Sequence, residues 1–159
     1  MGLDAFVFCD CFERGKLREP PPRPELVFVT ENGSLDCKSD DPKVLEEFDL
    51  WIQDRACEHE EGILTGYYIG SAGLVSQLWD ELAYEPSKFP ILLTKVLYSG
   101  THCGDSLEKA DIIRLKAELK RLSKFRCADS EIQEYMPTFQ NQMSSLVKSA
   151  LSLDKPIAF

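Results

Sequence analysis

The chain has 159 residues, 43% hydrophobic and 28% charged, with 27 acidic against 18 basic residues and a net charge of -9. That length suits one domain, residues 1–159, able to bury a core without staples. The charge repels a phosphate backbone and argues against nucleic acid, leaving a cationic protein surface as the better partner. No apolar run is long enough for a membrane span, so no membrane association is expected.

Residues 5–12, "AFVFCDCF", read as an inner strand, with Val7, Cys9 and Cys11 on one face. "MGLDAFVF" has neither a basic region nor a small-residue cleavage site, so it is not expected to be a signal peptide. Phe6 stands where a myristoylation pattern wants Ser or Thr. The six cysteines are then reduced thiols of a cytoplasmic protein.

"REPPPRPE" follows as an extended loop, because four prolines admit neither a helix nor a central strand. A second strand is expected near 26–30, ending at an Asn32-Gly33 turn. Asp41 and Pro42 then open the clearest helix, with Val44, Leu45, Phe48, Trp51 and Ile52 at helical spacing. Its end is expected near "CEHEEG", with Gly62 in the left-handed conformation. A third strand near 62–69 leads to Ser71, which caps a helix carrying Leu74, Val75, Leu78 and Leu82.

Further on, "ILLTKVLY" is expected to be helical, with Pro90 in its first turn, and "SGTHCGDS" is a loop. A helix over about 111–125 carries Ile112, Leu115, Leu119 and Leu122. Its polar side holds Arg114, Lys116, Lys120, Arg121 and Lys124, a solvated face with Glu118 as an ion-pair partner. The last helix, about 130–151, contains Pro137, where a kink or split is expected. "KPIAF" can add a terminal strand. The sum is an α+β fold: a small antiparallel sheet packed by four or five helices around one hydrophobic core.

Three segments carry unusual chemistry: Cys9 and Cys11; Cys57 and His59 within "CEHEE"; and His102, Cys103 and Asp105. Together they would serve a metal-dependent binder or an enzyme, since zinc accepts mixed thiolate and imidazole ligands. C-x-C is not the usual C-x2-C knuckle, and buried cysteine is commonly a plain small hydrophobe. Core packing is therefore preferred, with no metal, no cofactor and folding that needs no zinc. Cys103 beside His102 and Asp105 lacks a base brought to it by the fold, which favours a loop whose polar groups bind backbone. Asp49, Asp54, Glu58, Glu60 and Glu61 form the acidic side and end of the first helix and are the candidate partner-binding residues.

The layout of "MGLDAFVFCDCFERGKL", "CEHEEGILTGYYIGSAGL", "LYSGTHCGDS" and "DKPIAF" resembles that of small uncharacterised bacterial proteins. Some of these look like immunity proteins of toxin–immunity systems. The resemblance implies a protein that binds a cognate toxin, without catalysis and without a cofactor.

Overall fold

Alternating Leu3, Ala5 and Val7, all fully buried, set the first strand, β1 (Gly2–Phe8). The computed structural model describes residues 2–100 and 102–159. On one side β1 pairs antiparallel with β4 (Ile63–Ser71), and on the other with the short β6 (Ile157–Ala158). The edge strand β5 (Ser106–Leu107) completes the order β4-β1-β6-β5. The terminal segment thus does add a strand.

β1 begins earlier than expected and stops before the cysteines. Phe8 faces Ile63, the first residue of β4, so past the one bond from Cys9 N–H to Gly62 O the strand pairing ends. The chain turns there instead: Arg14 N–H donates to Asp10 O and Lys16 N–H to Cys11 O. The strand expected near 26–30 exists as β2 (Val27–Val29), but it pairs only with β3 (Leu35–Cys37) in a separate hairpin. Gly33, at φ +88, makes the turn between them.

Helix α1 (Pro42–Asp54) starts as expected, Asp41 accepting from Lys43 N–H at 3.0 Å with Pro42 at the first position. It ends at Asp54, eight residues before Gly62. Gly62 instead closes a 3₁₀ turn, Glu60–Gly62, that feeds β4. The carboxylates of residues 58–61 are therefore off the helix and do not oppose its dipole.

Ser71 caps α2 (Ala72–Leu82), and α3 (Lys109–Leu122) and α4 (Ser130–Leu153) follow. α4 runs through Pro137 as one element, with no split. Between α2 and α3 a helical turn begins at Pro90 and becomes π-helical over Leu92–Val96. Glu118 is not a solvent-facing ion-pair partner: it is buried and accepts the N–H groups of Ile91 and Leu92.

Two hydrophobic clusters form where one was expected. The larger joins β1 and β4 to α2, α3, α4 and the π-helical turn, with Leu78, Ile112, Leu115, Leu119, Leu122 and Leu146 buried in it. The smaller holds Cys37, Val44, Phe48, Trp51 and Ala56. The physical reason lies in what covers α1: Leu17 and Leu26 at the two ends of the proline-rich loop, with Val27, Leu35 and Cys37 of the β2–β3 hairpin, take its apolar stripe. Trp51 Nε1–H donates to Glu19 O at 3.0 Å, and Arg18 N–H to Ala56 O. Among the described residues, no helix is long and apolar enough to cross a membrane.

Candidate functional site

The exit from β1 and the loop from α1 to β4 meet beside the smaller cluster. Cys9 N–H donates to Gly62 O at 2.8 Å, which docks the exit turn against that loop. Glu61 and Gly62 take positive φ values of 52° and 71° and fold the loop back beside β1. Such a reversal is cheap for glycine and uncommon for glutamate.

Four side chains converge as a result. Cys9 Sγ lies 3.8 Å from Cys57 Sγ, while His59 Nδ1 is 3.5 Å from Cys11 Sγ and 3.6 Å from Cys57 Sγ. The four donor atoms all lie within 4.8 Å of one another. Cys11 and Cys57 are buried, and Cys9 and His59 are half-buried. The adjoining crevice is lined mainly by apolar side chains, among them Phe8, Phe12, Leu17, Leu35 and Ile52, together with Glu61. The amide of His59 donates to Cys57 Sγ at 3.4 Å, and His59 Nε2 faces the Glu58 carboxylate at 3.9 Å. Burial pushes the Cys9 thiol up to about 12 and raises that of Cys11 as well. As thiols these groups are poor nucleophiles at neutral pH. Their donor set is of the kind that holds a borderline-soft metal.

Beside this cluster opens a hollow of about 480 Å³ lined by Arg18, Gln53, Asp54, Cys57, Glu58, Glu60 and Glu61. Four of the five predicted partner-binding carboxylates therefore share one concave surface. The fifth, Asp49, sits on the exposed face of α1, one turn before Gln53. Next to it is Leu50, 53% exposed, which the sequence reading did not single out. The signal was available: Leu50 falls off the apolar stripe of its helix.

The third predicted segment does not join the cluster. The His102 side chain is 5% exposed and stacks on Tyr98 at 4.6 Å and against Phe159 at 4.9 Å. Its Nε2 is 2.8 Å from Val96 O. Its Nδ1 reaches Asp105 at 3.1 Å but is not aligned for a hydrogen bond, and Tyr98 donates its hydroxyl to the same carboxylate. Gly104 N–H and Phe159 N–H tie the loop to the C-terminal residue. Cys103 is exposed beside it. The loop is thus organised by backbone bonds and ring stacking.

Comparison with protein-family models, curated proteins and solved structures returns no significant match.

Proposed function

We propose that this is a non-catalytic binding protein that receives a basic surface of a protein partner on its acidic face, with a toxin as the cognate partner. One observation carries the reading: Asp54, Glu58, Glu60 and Glu61 gather in a single hollow, where Arg18 is the one lining cation. Like charges confined in a concavity repel one another, and a Lys- or Arg-rich segment relieves that repulsion while speeding encounter. Leu50 supports the same face. On the helix it neighbours Glu46 and Glu47 on one side and Asp54 on the other, an apolar anchor within a charged rim.

The test is binding to the product of the adjacent gene, followed kinetically across ionic strength. Association is expected to slow as salt rises. Reversing Glu58, Glu60 and Glu61 together to lysine should cut the on-rate about tenfold or more at low salt with the fold intact. Leu50→Ala should act mainly on dissociation, at a cost of about 1–2 kcal/mol. Salt-independent binding with unchanged kinetics after reversal would remove this face from consideration. Turnover of a small molecule lost on Cys103→Ser or His102→Gln would establish an enzyme instead.

A further inference from the structure

We infer that Cys9, Cys11, Cys57 and His59 form a four-ligand site for one zinc ion. This reverses the preference for simple core packing that the C-x-C spacing suggested. That spacing fails as a knuckle only if both halves of a site must look alike. Here a C-x-C half from the end of β1 meets a C-x-H half from the loop before β4, 48 residues away.

The distances fit the ion. Tetrahedral zinc, with bonds of about 2.3 Å to sulfur and about 2.0–2.1 Å to nitrogen, sets its sulfurs about 3.8 Å apart and sulfur from nitrogen about 3.6 Å apart. Three of the six edges match closely, at 3.8 Å for Cys9 to Cys57, 3.5 Å for Cys11 to His59 and 3.6 Å for Cys57 to His59, and all six are within 4.8 Å. Any one of these is an ordinary contact between packed groups. Four donor atoms turned toward one another within 4.8 Å is a different matter. Cysteines that merely fill space gain by facing hydrocarbon, and Phe8, Phe12, Leu17, Leu35 and Ile52 line the crevice alongside.

The surroundings are those of a metal ligand set as well. Nδ1 of His59 faces the sulfurs, which leaves the Nε2 proton on the side of the Glu58 carboxylate, 3.9 Å away and beyond direct hydrogen-bond distance in this structure. A metal-bound histidine is commonly oriented by an acceptor on its outer nitrogen. The backbone N–H of His59 points at Cys57 Sγ, where it would offset thiolate charge. Three thiolates and an imidazole fill a tetrahedron, so no coordination position is left for substrate. The site is structural, and it clasps the sheet to the smaller hydrophobic cluster.

The site shares Cys57 and Glu58 with the acidic hollow but not the argument for binding, and its assay needs no partner. The reduced, purified chain is expected to carry about one zinc ion, removable by chelator with loss of order around the smaller cluster. Stripped protein titrated with cobalt(II) should give the ligand-field bands of a tetrahedral ion and thiolate charge-transfer absorption. Cys9→Ser, Cys11→Ser and Cys57→Ser should each weaken that absorption, whereas Cys37→Ser, Cys103→Ser and Cys127→Ser should leave it unchanged. X-ray absorption on the zinc-loaded natural chain should find three sulfur and one nitrogen neighbours, and decides the matter if a cysteine variant fails to fold. Absence of stoichiometric zinc and cobalt binding, a shell of oxygen and nitrogen only, or dependence on Cys37, Cys103 or Cys127 would overturn the proposal.

Discussion

The Glu118 carboxylate, 2% exposed, accepts Ile91 N–H at 2.8 Å and Leu92 N–H at 2.9 Å. These are N–H groups at the start of a helical turn, which have no partner within the turn itself. Burial raises the pKa of Glu118 above the ordinary glutamate value, and the two backbone bonds and Arg121 only partly offset that. The folded chain therefore keeps this proton at a pH where the unfolded chain has released it. Stability from this group falls as pH climbs from the ordinary glutamate value through the raised one. Glu118→Ala should cost about 2–5 kcal/mol by leaving two buried donors unmet. Glu118→Gln should cost less, and its deficit against the natural chain should narrow as pH rises through that window. Denaturant titrations at several pH values measure both, and parallel pH profiles would exclude the raised pKa.

At the level of elements, local signals were the legible ones. Asp41 and Ser71 cap the helices that their sequences announce, and the apolar stripes of α1, α2 and α3 turn inward as their spacing requires, with Leu45, Ile52 and Leu74 only half-buried. Replacing Asp41 with alanine removes its bond to Lys43 N–H and should cost about 1 kcal/mol. That loss corresponds to a melting temperature lower by about 2–4 °C, which calorimetry can check. Pairing was less legible than periodicity. The pattern of residues 5–12 suits a strand throughout, but a strand lasts only as long as its neighbour, and β4 begins opposite Phe8. The same limit explains β2, whose composition predicts a strand without saying which sheet it joins. Pro137 suggested a break, yet α4 continues through it, with Met136, Phe139 and Met143 buried on either side. Packing along the whole helix outweighs one missing backbone donor.

Across the whole molecule, what the sequence withheld was long-range proximity. Cys9, Cys11, Cys57 and His59 were all visible as residue types, as were His102 and Cys103, and nothing local separates the two groups. Only the pairing of β1 with β4 and the positive-φ turn at Glu61 and Gly62 bring the first four together. Two cores in place of one were hidden for the same reason, since a stripe of apolar side chains does not say what will cover it. The division has a measurable consequence. The smaller cluster has five buried members, far fewer than the larger, so less apolar burial holds it closed. Trp51 is buried in the smaller cluster, while Trp79 lies on α2 with its indole N–H bonded to Leu93 O. In a Trp79→Phe variant the remaining indole reports on the smaller cluster alone. With chelator present, its emission is expected to change at lower denaturant than the far-ultraviolet ellipticity, to which α2, α3 and α4 contribute most of the helix. Coincident transitions would mean that the two clusters unfold as one cooperative unit.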